Sequence, residues 1–237
     1  NYNNVSQNTP GRGGFYLRDS LYNLFTSNTA AGQNSGFNLL NSSYNTFVSN
    51  IVANTTGGVS AFRVSSGNFN NILANTIDNV AWLGIDLYNA SNTTVKSNSI
   101  TRAVWGGVDL TRSSKNLIEN NTIIDDYSGI SIFDSSENNT ILSNFIIDNS
   151  YQGVGIGSNK NLIYNNYFFN DVNARDSGNN SWNTTRTPGT NIVGGSYLGG
   201  NYWSDYKGFD LDSDGIGNTN LPYNTSATSG TRGDLLP

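Results

Sequence analysis

The sequence predicts an all-β chain wound as a parallel β-solenoid of about seven coils, followed by an irregular C-terminal segment. Three observations point there: a short motif that recurs at a fixed interval, apolar residues that alternate within each copy, and asparagines in register with the motif. The copies read Gly14-Phe-Tyr-Leu, Gly36-Phe-Asn-Leu, Gly58-Val-Ser-Ala, Gly84-Ile-Asp-Leu, Gly107-Val-Asp-Leu, Gly129-Ile-Ser-Ile and Gly153-Val-Gly-Ile, at intervals of 22, 22, 26, 23, 22 and 24 residues. A period in this range marks stacked units, none of which can bury its apolar face alone.

Residues 1–13 precede the first copy and form an entry segment, read as an inter-subunit contact. From 14 to 169 each unit alternates apolar and polar residues, the strand period, and is poor in helix formers. Of 41 Asn residues none is followed by Gly, so the strongest short hairpin signal is missing. Coils stacked about 4.8 Å apart are the remaining solution. One asparagine series runs through Asn28, Asn50, Asn75, Asn98, Asn121, Asn144 and Asn166. A second has Asn23, Asn45, Asn70, Thr93, Asn116, Asn139 and Asn161. Stacked amides can accept from one coil and donate to the next, and Asn also tolerates the left-handed backbone of a corner.

Composition narrows the chemistry. The net charge is −5 without a basic run, so nucleic acid is not an expected partner, and no apolar stretch is long enough to span a membrane as a helix. Cys, His and Met are all absent. That leaves no disulfide, no thiol or imidazole catalysis and no soft metal site, so neither copper nor zinc nor an organic cofactor is expected. The chain begins at Asn1 instead of Met, which suggests a processed or truncated N-terminus. Of ten Asn-x-Ser/Thr sequons, Asn41, Asn89 and Asn138 are read as sharing one outward corner and are the expected glycosylation sites.

Periodicity fades after Phe169, and 170–237 is a polar tail. It contains Gly199-Gly-Asn-Tyr-Trp-Ser-Asp-Tyr206 and Asp210-x-Asp212-x-Asp214-Gly-Ile-Gly217. This tail and the coils resemble the NosD-like family of right-handed parallel β-helix proteins, abundant among secreted and surface proteins of archaea. The resemblance implies a right-handed parallel β-helix and an extracellular or cell-surface location. The family is named for copper delivery, from which a chain lacking sulfur and imidazole departs. Alternating carboxylates before a Gly also begin calcium loops, so Asp205, Asp210, Asp212 and Asp214 are expected to hold calcium in a structural role.

Two neighbouring coils, Trp82-Leu-Gly-Ile-Asp86-Leu-Tyr88 and Trp105-Gly-Gly-Val-Asp109-Leu-Thr111, are more alike than the rest. In register, Asp86 stacks on Asp109 and both point outward, while the Trp82/Trp105 column continues as Tyr127 and Tyr151. Arg102, Arg112 and Asp134 are expected close by. The leading expectation is a non-catalytic structural protein of the cell surface that assembles head-to-tail with copies of itself. The alternative is a carbohydrate-active module: Trp82, Trp105, Tyr127 and Tyr151 would grip a surface glycan, and Asp86 and Asp109 would serve as a catalytic pair.

Overall fold

The computed structural model describes residues 3–224 and 233–237. The chain winds as a right-handed parallel β-helix whose three parallel sheets each hold eight strands. The first sheet runs from Asn4–Ser6 to Leu162–Tyr164, the second from Thr29–Ala31 to Tyr202–Trp203, and the third from Phe15–Arg18 to Ala174–Asp176. Eight rungs exceed the seven read from the motif, because rungs at both ends lack it. Asn4–Ser6 pairs with Leu24–Thr26 ahead of Gly14. Ala174–Asp176 and Tyr202–Trp203 extend the third and second sheets beyond Phe169. No helix among the described residues is long and apolar enough to cross a membrane.

Each central coil sends inward one side chain from the first sheet, one or two from the second and two from the third. The coil containing Asp86 supplies Ile72, Ile77, Val80, Ile85 and Leu87, all fully buried. In the early coils these positions are aromatic, and Phe15, Phe37 and Phe62 stack at 4.7 Å centroid spacing. Such stacks add about 0.5–1.5 kcal/mol per pair beyond area burial. The motif glycine has a steric origin. A Cβ on Gly84 would sit 2.6 Å from both the Gly107 carbonyl and an Ile100 methyl.

The register corrects one copy of the motif. Phe37 pairs with Phe62, and Phe62 with Ile85, so Ala61 and not Gly58 occupies the glycine position in the third copy. A Cβ on Gly58 would meet nothing within 4 Å, so no packing constraint holds that glycine.

Between the first and second sheets the residue in left-handed conformation is not the ladder asparagine but the one before it. Ser27, Ser49, Ala74, Ser97, Asn120, Ser143 and Asn165 have φ between 50° and 57°. This sharp step turns the following asparagine inward, where its amide bonds along the solenoid axis. Asn98 Oδ1 accepts from Asn75 N (2.9 Å) and Asn75 Nδ2 (3.0 Å). Its own Nδ2 donates to Asn121 Oδ1 (3.0 Å) and the Ile72 carbonyl (2.8 Å). The second series behaves alike until Thr93, whose hydroxyl is buried without a partner.

The amide-to-amide bonds all point toward the C-terminal end, so each ladder must finish on a group that only accepts. Aspartates occupy those places. Asn201 donates to Asp234 (3.2 Å), Asn180 to Asp176 (2.8 Å) and Asn173 to Asp205 (2.7 Å). Each carboxylate takes a further aromatic donor: Trp203 Nε1 on Asp234 (2.9 Å), Trp182 Nε1 on Asp176 (3.0 Å) and Tyr223 OH on Asp205 (2.8 Å). Asp205, expected among metal ligands, is therefore a ladder terminus.

The ladder ending at Asp205 runs along the end of the second sheet and was not visible in the motif. It includes one aspartate, Asp126, whose Oδ1 accepts from Ala103 N (2.5 Å) and whose backbone N donates to Asn149 Oδ1 (3.1 Å). Asn149 and Asn170 use Nδ2 to reach the carbonyls of Ile123 and Ile146. Asp126 has only Oδ2 to offer, and that atom is buried without a partner. Burial raises this carboxyl to about 8, with Asp125 adding repulsion, so at neutral pH it keeps its proton and resembles the amides around it.

Three substitutions test the ladders by chemical denaturation. Asn98→Ala strands two buried donors and is expected to cost at least about 3 kcal/mol. Thr93→Asn continues the interrupted series and is expected to stabilise by about 1 kcal/mol. A carboxyl raised on folding gives stability that is full below its unfolded pKa and is lost as pH climbs to the folded value, near 8 for Asp126. Asp126→Asn should therefore stabilise most at pH 8 and flatten the decline between pH 5 and pH 8, and an unchanged decline would refute the assignment.

Candidate functional site

The outer face of the third sheet presents one column in register: Asn38, Arg63, Asp86, Asp109, Ser131, Gly155 and Arg175. Asp86 and Asp109 are direct Cα partners, each flanked in its strand by inward apolar residues, Ile85 and Leu87 or Val108 and Leu110. Neither carboxylate is bathed in solvent, although both point away from the core. Asp86 is only 7% exposed.

The two carboxylates differ in their surroundings. Asp86 Oδ2 lies 3.5 Å from Arg63 Nε and 3.4 Å from the Ser60 hydroxyl. Burial raises its pKa, opposed by the guanidinium and the hydroxyl. Asp109 has no cation within ion-pair distance among the described residues, and its Oδ1 accepts from Thr111 Oγ1 at 2.8 Å. Burial lifts it to about 6, with repulsion from Asp86 and Asp134 adding to the rise. No donor among the described residues reaches Asp86 Oδ1 or Asp109 Oδ2, so each carboxylate has one oxygen engaged and one free.

Beside this column, in the turn between the second and third sheets, stands the aromatic column. Trp82 and Trp105 lie 4.8 Å apart with planes tilted by 42°, and Tyr127 and Tyr151 stack at 5.0 Å and 1°. Between Trp105 and Tyr127 the stack breaks: the rings stand 6.4 Å apart at 61°. Trp105 is 53% exposed, the most of the four. The Arg175 guanidinium covers the outer end of the column, 4.2 Å from the Tyr151 ring centroid.

Of the neighbours expected from sequence, Arg112 pairs with Asp134 (3.7 Å) and donates to the Tyr88 hydroxyl (3.1 Å) at the border of the face. Arg102 is drawn off to Asp78, whose Oδ2 it meets at 2.6 Å. The sequence reading missed Arg63 and Ser60. Their signal was present but was lost in the misaligned third copy, since starting that copy at Ala61 puts Arg63 directly beneath Asp86.

Other expected sites are placed differently. Asp210, Asp212 and Asp214 bring carboxylate oxygens within 4.8 Å of one another. The turn satisfies itself, however. Asp210 accepts from the backbone of Gly215 (2.8 Å) and Asp214 (3.2 Å), which holds its carboxyl below the usual range. Arg186 bonds Asp214 and supplies the counter-charge, while Asp205 is spent on Asn173 and Tyr223. The calcium expectation does not hold: the family described below is a copper-binding one, and Asp210, Asp214 and Asp205 are engaged by the chain's own donors. Among the sequons, Asn41 and Asn89 share a level of the turn after the third sheet, bonding to Ser65 O and Thr111 O. Asn138 lies at a different level, in line with Lys115 and Asn92, so the three do not form one corner. A cavity of about 300 Å³ under the C-terminal segment is lined by Tyr197, Tyr202, Trp203 and Tyr206. The polar side chains Asn165, Asn191 and Tyr206 around it are already bonded within the chain.

Comparison with known proteins places the chain in a family. The chain matches the family model described as periplasmic copper-binding protein (NosD) over residues 61–208, more than half its length. It is similar in structure to the A-module of the mannuronan C-5 epimerase AlgE6 from Azotobacter vinelandii, with a TM-score of 0.55 and 16% identity, over 74% of this chain and 54% of that one. The chain thus spans about half of that module, and likeness at this identity concerns the fold alone. HetL, a pentapeptide repeat protein of the cyanobacterium Nostoc, matches over 83% of this chain and 93% of its own at 8% identity, but its TM-score of 0.29 carries no argument. No curated protein matches the chain.

The family description corrects the expectation that copper has no place here, since its members are described as copper-binding and periplasmic. The residues present do not fit a soft copper site. With no Cys, His or Met, the chain offers only oxygen donors and the nitrogens of amides, indoles, Lys and Arg. The match across the coils and the Gly-Gly-Asn-Tyr-Trp tail establishes that this chain belongs to the NosD family of right-handed parallel β-helix proteins.

Proposed function

We propose that the outer face of the third sheet binds a neutral, hydroxyl-rich polysaccharide outside the cytoplasm. One observation carries the reading: an exposed aromatic column, broken at Trp105, runs beside two carboxylates that each keep one oxygen free. Ring faces take the C–H side of a sugar, and carboxylate oxygens accept from its hydroxyls. The break in the stack supports this use of the column, because rings stacked face to face spend their faces on one another. A neutral glycan suits the unpaired Asp109, which would repel a uronate carboxylate set beside it, while Asp86 and Asp134 are already paired with Arg63 and Arg112. The family's periplasmic description is consistent with exposure to such polymers.

The spacing of the coils gives the polymer a direction. Successive rings and carboxylates advance about 4.8 Å per coil along the axis. A pyranose residue in an extended chain advances by a similar step, so a glycan lying parallel to the axis sets one sugar against each ring of the column and two of them beside Asp86 and Asp109.

Affinity electrophoresis through gels containing neutral or uronic-acid polysaccharides tests this reading. Retardation by a neutral polymer is expected, with at least about tenfold weaker binding in Trp105→Ala, the loss of one stacking contact. The denaturation midpoint of that variant should stay close to wild type, since Trp105 is half exposed. Equal retardation of variant and wild type, or none in any neutral gel, would refute the proposal.

A further inference from the structure

We infer that Asp86 and Asp109 are a catalytic pair that hydrolyses the bound glycan with retention at the anomeric carbon. This rests on the glycan-binding reading above and adds a reaction to it. The argument starts from register. Direct Cα partners on adjacent parallel strands stand about 4.8 Å apart, and two Asp side chains rising side by side from one sheet face carry about that spacing to their carboxyls. Retaining glycosidases hold their two carboxyls about 5 Å apart, whereas inverting enzymes need about 6.5–9.5 Å to admit a water between them.

The two groups also have different partners. Asp86 is held by a guanidinium and a hydroxyl through Oδ2, which favours its charged form and leaves Oδ1 to attack carbon. Asp109 stands in the column between Asp86 and Ser131 and is repelled by Asp86 and by Asp134 in the turn beyond, with Thr111 as its only bonded donor among the described residues. Two carboxylates this close do not both ionise readily, and the one lacking a cation keeps the proton. Asp109 is thereby the acid and Asp86 the nucleophile. The charged or titratable groups facing the pair are Arg63 from the preceding coil and Asp134 from the following one, with Tyr88 and Arg112 at the border.

The steps balance with water as the sole co-reactant. In the first, Asp86 Oδ1 forms a bond to the anomeric carbon as the glycosidic C–O bond breaks, and the Asp109 proton passes to the departing oxygen. In the second, a water oxygen bonds to the same carbon, its proton returns to Asp109, and the Asp86 ester bond breaks. Two inversions leave the configuration retained.

The test uses the full chain and the neutral polysaccharide that retards it most in the gel, with reducing ends counted and the first-formed anomer read by proton NMR. Hydrolysis with retention is expected, rising in rate as Asp86 ionises and falling above about pH 6 as Asp109 loses its proton. Asp109→Asn and Asp86→Asn should each lower kcat about a thousandfold with KM changed only severalfold. The loss in Asp86→Ala, which leaves room for a small anion, should be partly restored by azide, which replaces the missing nucleophile and yields a glycosyl azide. A glycan that binds tightly but is not cleaved anywhere between pH 4 and pH 8 would overturn the catalytic pair and leave the binding face standing. Inverted product, or Asn variants with wild-type kcat, would overturn it as well. Absence of binding to every neutral polymer would instead remove the function on which the pair depends.

Discussion

Unidirectional hydrogen bonding between side-chain amides is the constraint from which the rest of this molecule follows. A solenoid coil has no contact with any coil but its neighbours, so its register must be fixed locally and repeatedly. Apolar packing favours the register but carries no direction, whereas the amides are bonded in one sense along the axis. An asparagine that accepts from the coil before and donates to the coil after cannot slide without leaving buried donors unpaired. The left-handed residue preceding it turns the amide inward at each corner, and the bonds offset that strain.

That constraint also explains the ends. A column of amides all pointing the same way finishes with unsatisfied N–H groups, and the C-terminal segment brings Asp234, Asp176 and Asp205 to receive them. The two buried tryptophans of this region, Trp182 and Trp203, anchor two of these carboxylates through their indole N–H groups while covering the last apolar rung at Phe168. The Gly-Gly-Asn-Tyr-Trp-Ser-Asp segment is thus the terminus of two ladders: Asn201 carries one into Asp234 and Asp205 ends another. The carboxylates of the outer face owe their pairing to the same register, since only fixed coils put Asp86 on Asp109.

How much of this was legible follows the spacing of the signal. Sheet class, inward residues and two ladders could be read because their residues recur at the coil period and differ sharply in polarity from their neighbours. The third ladder was hidden by its mixed membership, Asp126 with Asn149, Asn170 and Asn173, the last only three residues beyond the one before. Arg63 was hidden by an irregular coil, where the unused Gly58 imitates the motif three residues early. The aspartates that end the ladders could not be found by period at all. They arrive from a tail that does not repeat, and their role appears only when the amides above them are in place. The acidic turn failed for a related reason: Arg186 reaches Asp214 across 28 residues, a pairing that no local spacing announces.

A ladder that asks of every coil only that it receive from one side and give to the other has a consequence for descent. Any whole coil is interchangeable with its neighbours as far as the fold is concerned, while a fraction of a coil is not. Gain or loss of chain is therefore tolerated in whole-turn quanta, and the length of the rod is inherited as an integer. Lineages of such proteins should differ in how many turns they carry far more readily than in what closes the last one.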